Sequence, residues 1–362
     1  MRSFLTVLLL FVLLLQTGCF KRTEEKPTKQ EVHLFAKKIL AQVDSMKIDF
    51  LKQNLIMEAF MNRVNISGKQ EYLPEIKANV LLDLNSNEFE RNIYNAMGAD
   101  GTFELVKIFE KDNVHHAVFR LYSSAGINYF DMELTKLGSQ VGIADIYVYM
   151  MGQNLSRTSA QYVEEMLRNS ESSVGKVTND RIKRIKSYRK SGHLKAAKKE
   201  FEMLPYGLRN IRVNEVIYLD ILSKLSDTLY ADHLHLLEQK YAGTPGLELM
   251  FMDSYILNKQ YDKAFSALDS LDAALHHDPF LNYHRGLIHY IKADTKNAIA
   301  EYEKAAAEMP YFAPVRLQLA SVYLEQNDEL NARKNFSIYR KLPKADKTLV
   351  KQILLAYPRL KD

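Results

Sequence analysis

The sequence predicts a multidomain fold: an N-terminal α+β domain of helices followed by a four-stranded antiparallel meander, then an all-α repeat array. Three observations carry that expectation. Apolar residues recur at helical spacing from Val32, the period switches to strand-like alternation between Phe103 and Met150, and an alanine returns about every 34 residues from Ala197 onward. Of the 362 residues, 47% are hydrophobic and 26% charged, which supplies packed cores and excludes a chain disordered throughout. The net charge of +5 is spread along the chain, too diffuse for a nucleic-acid footprint, so no nucleic-acid partner is expected. Cys19 is the sole cysteine, which excludes an intramolecular disulfide and a cysteine-based zinc site, and the ten histidines show no HxxxH or HExxH spacing. No metal and no cofactor are therefore expected.

Residues 1–18 start with Arg2 near the N-terminus and an apolar run, Phe4–Leu15, broken only by Thr6. As a helix that run spans about 18 Å, short of the roughly 30 Å bilayer core, and reads as a signal-peptide core rather than a permanent span. It ends in Thr17-Gly18-Cys19, which resembles the lipobox of bacterial lipoproteins, except that Gln16 stands where that family usually has Leu, Val or Ile. The resemblance implies cleavage before Cys19, a diacylglycerol on its thiol, and attachment to a membrane of the cell envelope, most naturally the outer one. An ordinary secretory signal with an incidental cysteine is the alternative. Residues 19–30 are charged and carry Pro27, as expected of a flexible tether.

Residues 31–154 form the expected α+β domain. Val32, Phe35, Ala36, Ile39, Leu40, Val43, Met46 and Phe50 make one helical stripe, and helical pattern continues through Leu55–Val64 and Glu88–Met97. Strands follow at Phe103–Glu110, Val114–Tyr122, Ile127–Leu137 and Val141–Met150, joined by short Gly/Asn/Ser connections that favour hairpins. Alternation gives one apolar face for the helix and one face holding Arg120, Tyr129, Asp131, Asp145, Tyr147 and Tyr149. Helices followed by a meander resemble the cystatin-like or nuclear-transport-factor-like architecture, whose free sheet face often hosts a pocket; those six residues are the candidate lining. A solvated face with cross-strand Arg–Asp pairs worth roughly 0.2–1 kcal/mol each is one alternative. Burial of the tyrosines against the next module, at its first repeat, is another.

Beyond a helical linker at 155–176, residues 177–346 repeat. Ala197, Ala231, Ala264, Ala298 and Ala332 are followed four residues later by Phe201, His235, Leu268, Tyr302 and Phe336; Gly286 and Ala320 add small residues in the first helices. Small residues admit close helix approach and bulky ones fill the groove to the next unit. These columns resemble the tetratricopeptide repeat family, five units long and weakest around Arg212–Pro245, with residues 347–362 as a C-terminal capping helix. That resemblance implies a superhelix whose groove holds a peptide or protein partner, lined here by Lys186, Arg189, Lys190, Asp220, Asp253, Tyr283, Leu287 and Tyr290. A carboxylate clamp is not supported, since Ile182, Lys186, Val216 and Asp220 stand where it needs paired Lys and Asn. Each charged residue has a solvated helix face as its alternative, whereas the pair Tyr283 and Tyr290 reads as a contact patch.

Nothing resembles a nucleophile elbow, a phosphate loop or a metal motif, so the expected function is a non-enzymatic, lipid-anchored binding scaffold. The alternative is a small-molecule-binding or enzymatic α+β domain with the repeats as spacer. The oligomeric state stays open.

Overall fold

A computed structural model describes residues 23–64, 70–98, 101–123, 126–168, 174–241 and 247–361. The expected signal peptide and Cys19 lie outside the described residues. The N-terminal module comprises β1 (Glu24–Glu25), α1 (Lys29–Asp44), α2 (Phe50–Asn54), α3 (Met57–Arg63), α4 (Leu73–Ser86), α5 (Glu88–Met97), β2 (Thr102–Lys111), β3 (Val114–Ser123), β4 (Gly126–Leu137), β5 (Gln140–Val148) and β6 (Gln153–Asn154).

The strands pair antiparallel in the order β2-β3-β4-β5-β6, the meander that the short connections imply. Side-chain alternation then sorts the faces. Ala117, Phe119, Phe130, Met132, Leu134 and Ile146 join Val32, Phe35, Ile39 and Val43 of α1 in one core. Helix α4 was not anticipated, although Ile76, Val80 and Leu84, spaced by four, bury its inner face and Pro74 sits in its first turn.

The segment expected as a tether is in part folded. Glu24 and Glu25 pair with Leu137 and Lys136 of β4, past the point where β3 stops pairing at Leu134. Lys26 reaches Glu110 at 2.5 Å, and Thr28 forms a capping box with Glu31 that starts α1 at Lys29. Glu24 and Lys26, charges that suggest a solvated linker, are paired here with Arg63 and Glu110.

After helix α6 (Leu155–Arg168), five helix pairs follow among the described residues: α7 (Val174–Lys190) with α8 (Leu194–Glu202), α10 (Arg212–Ser223) with α11 (Asp227–Lys240), α12 (Glu248–Leu257) with α13 (Tyr261–Ala274), α14 (Phe280–Ile291) with α15 (Thr295–Glu308), and α16 (Ala313–Glu325) with α17 (Glu329–Tyr339). The short α9 (Tyr206–Arg209) lies between the first two pairs, and α18 (Lys347–Ala356) packs at the end. Ala197, Ala264, Ala298, Ala332 and Ala320 are buried at helix crossings. Gly286 shows why one crossing tolerates no side chain: a Cβ there would lie 2.5 Å from the ring of Tyr302, itself fully buried on α15.

The second pair departs from the alanine column. Ala231 is only half-buried and the His235 side chain is 66% exposed, whereas Leu234 and Leu237 carry the buried stripe of α11. The N-caps fix the register. His193, Ser226, Gln260, Asp294 and Asp328 begin the second helices, so the step between the first two pairs is one residue shorter than in the others. In that register Tyr230 and Leu234, not Ala231 and His235, stand in the columns, which explains why a histidine occupies position 235.

Candidate functional site

The polar sheet face docks on the repeats. Val118, Ile127, Tyr129 and Tyr149 share a hydrophobic cluster with Leu268, Leu271, Phe280, Tyr283 and Leu319. At its centre Arg120 on β3 donates to both oxygens of Asp278, at 2.6 and 2.8 Å, while the Tyr129 hydroxyl donates to the same carboxylate at 2.8 Å. Arg120 also pairs with Glu104 and lies 4.3 Å over the ring of Phe280. Burial alone would lower the Arg120 pKa, but the facing Asp278 carboxylate reverses this and raises it, keeping the guanidinium charged. Burial first and Asp278 second push the Tyr129 phenol well above its ordinary value, so it remains a donor.

Asp278 is aimed by the turn before α14. His276 and His277 both adopt left-handed backbone, with φ of 55° and 76°, and the Phe280 N–H donates to Asp278 at 3.0 Å. Around this point the Phe109 ring lies tilted against His276 at 4.3 Å, Lys107 donates to the His276 carbonyl at 2.6 Å, and the Tyr122 ring meets Phe280 at 4.8 Å and Phe312 at 5.5 Å.

The six residues expected to line an open pocket are thus distributed differently. Arg120, Tyr129 and Tyr149 are buried in the docking face, with Tyr147 half-buried beside Tyr149 at a ring separation of 5.2 Å. The contact is with the third and fourth helix pairs rather than the first, and through Tyr122 and Phe312 it reaches the start of the fifth. Asp131 is held by His116 at 2.9 Å. Asp145 is fully buried and accepts from the Ser156 hydroxyl at 2.5 Å, the Ser156 N–H at 3.2 Å and Asn154 at 3.0 Å, which places it at the start of α6 as a structural anchor. Burial raises its pKa against those hydrogen bonds.

The expected groove residues meet this chain's own first module at two points. Lys186 bonds Glu88 of α5 at 2.7 Å, and Tyr283, expected as an exposed aromatic, is buried against Tyr122 and Phe312. Arg189 pairs with Asp220 at 2.6 Å within the array, and Lys190 is exposed. Asp253 lies on α12, Leu287 is half-buried, and Tyr290 donates to Glu325 at 2.7 Å. Among the described residues no group of three or more His, Cys, Asp or Glu is placed to hold a metal ion, and no helix is long and apolar enough to cross a membrane.

A cavity of about 400 Å³ opens where α4, α5 and α6 face α7, α8 and α10. Leu51, Val80, Leu84, Phe130, Val148, Ile185, Phe201 and Leu204 are its buried walls; the more exposed Asp83, Glu88, Asn92 and Lys186 stand at its mouth. Unfilled apolar space of this size is unusual inside a folded chain and matches the range of small-molecule sites, roughly 300–1,000 Å³. Burial, then the charge of Asp83, pushes the lining Tyr162 phenol up to about 12. No sequence pattern announces this cavity, because helices and strands scattered along the chain from α2 to α10 assemble it.

The fold and its junction define a two-module protein, an α+β domain docked on an array of helix pairs. No protein-family model matches the sequence, and no curated protein matches it. Among solved structures it is similar to MamA (residue 41 onward) of Desulfovibrio magneticus RS-1, at 15% identity and a TM-score of 0.40, covering 47% of this chain and 97% of that one. PilW, titled a widely conserved type IV pilus biogenesis factor, matches at 14% identity and a TM-score of 0.39 over 51% of this chain and 85% of its own. A tetratricopeptide repeat protein from Parabacteroides merdae ATCC 43184 matches at 14% identity and a TM-score of 0.35 over 57% and 83%.

Proposed function

We propose that this chain is a lipid-anchored envelope protein acting as a non-enzymatic scaffold, its tetratricopeptide-type array binding a peptide or protein partner. The observation that carries the reading is the run of helix pairs capped at His193, Ser226, Gln260, Asp294 and Asp328, with Ala197, Ala264, Ala298 and Ala332 buried in four of the five pairs. Because the sheet occupies the face around Tyr283, partner capture falls to first-helix positions left accessible, Lys190 and the half-buried Leu287 and Tyr290. The membrane half of the proposal rests on Thr17-Gly18-Cys19 after the apolar run.

Photo-crosslinking in the intact envelope separates these claims. A crosslinker at position 290 is expected to capture a discrete partner, and one at the fully buried position 268 none. Equal capture from both positions, or none from either, overturns the partner reading. Cys19→Ala is expected to abolish palmitate labelling and move the chain to the soluble fraction; unchanged fractionation overturns the anchor.

A further inference from the structure

We propose that the cavity between the first module and the first two helix pairs binds a single-chain amphiphile whose head is cationic. The walls are apolar on both modules: Leu84 and Phe130 from the α+β domain, Leu155 from the connecting helix and Ile217 from the second pair. About 400 Å³ gives room for on the order of a dozen water-sized groups. That fits one aliphatic chain and leaves no space for a folded partner segment.

The mouth selects the head. Asp83 and Glu88 bring two carboxylates and Lys186 one ammonium, and the Lys186–Glu88 pair at 2.7 Å uses one of each. Lys186 also acts on Asp83 through space, yet two carboxylates against one ammonium leave the mouth net negative beside apolar walls, so a cation at that point is matched and a carboxylate is repelled. A bound chain touches both modules together, so it also favours their docked arrangement. This site is separate from the proposed partner surface, and either stands without the other.

The test uses the full chain with N-phenyl-1-naphthylamine, a neutral dye that brightens in apolar sites, as reporter. Decylamine is expected to displace the dye and raise the melting temperature, with decanoate weaker. Asp83→Asn is expected to weaken decylamine about threefold while leaving decanoate no weaker. Ile217→Trp, which fills the space, is expected to lower affinity at least about tenfold at an unchanged melting temperature. Ser159→Phe, also on the lining, serves as the second filling variant, and the one that keeps the wild-type melt is scored. The proposal is overturned if neither ligand displaces the dye, if decanoate binds as tightly as decylamine, or if the filled cavity binds as wild type does.

Discussion

Arg120 on the sheet and Asp278 on the repeats lie 158 positions apart in sequence, yet their side chains meet through two hydrogen bonds of 2.6 and 2.8 Å, both residues being at most 4% exposed. Removing one partner of such a pair leaves a buried charge and costs about 3–5 kcal/mol. Arg120→Met is expected to lose stability in that range by denaturant unfolding. Adding Asp278→Leu to it is expected to cost much less than the sum of the two single changes, as coupled neighbours do. Strictly additive losses would show that the two charges do not depend on each other.

Close helix crossings predict a second sensitivity. Ala298 is fully buried, so Ala298→Arg places an unpaired charge at a crossing and is expected to cost several kcal/mol. Gly286→Ala is the milder probe, pushing a methyl against the Tyr302 ring, with an expected loss of about 1–3 kcal/mol. Ala231→Arg, at the half-buried position of the irregular pair, is expected to cost well under half as much as Ala298→Arg. Thermal melts of the three variants decide the order.

His284 gives a pH dependence. Burial first, then the positive charge of Arg120, lower its pKa from 6.5 to about 4, with Asp278 opposing; its Nε2 has no hydrogen-bond partner among the described residues. Above pH 6.5 the imidazole is neutral whether the chain is folded or not. Between 6.5 and about 4 the unfolded chain takes up a proton that the folded chain refuses, so stability falls with pH by at most about 1.4 kcal/mol per unit. His115 and His233 are lowered by burial as well and add to the slope. His284→Phe is therefore expected to lose less stability than wild type on going from pH 7.5 to pH 5, measured by urea unfolding at each pH. Equal slopes would contradict the assignment.

What the sequence made legible was local. Alternation along β3 and β4 separated Phe119, Phe130 and Met132 from Arg120 and Tyr129 correctly, because pleating obeys a two-residue period wherever a strand lies. Periodicity says nothing about what covers a polar face, and so Tyr129 and Tyr283 could be singled out as aromatic without revealing that they are buried in the same junction. The second repeat went wrong for a related reason: Ala231 kept the column spacing, while the helix is rotated by one residue so that Leu234 points inward. The inner face of helix α4 is carried by Ile76, Val80 and Leu84, a stripe of only three residues at a spacing of four. The cavity was not readable at all, since Asp83 and Lys186 belong to separate modules and become neighbours only on docking.

The pairing of Glu24 with Leu137 has a consequence for geometry at a bilayer. With the proposed acyl group on Cys19, five residue steps would separate the lipid from the sheet edge, a reach of roughly 17 Å when fully extended. On the proposed anchor, so short a leash would hold the sheet edge against the lipid headgroups and limit the protein's grasp to targets within a molecule's width of the membrane.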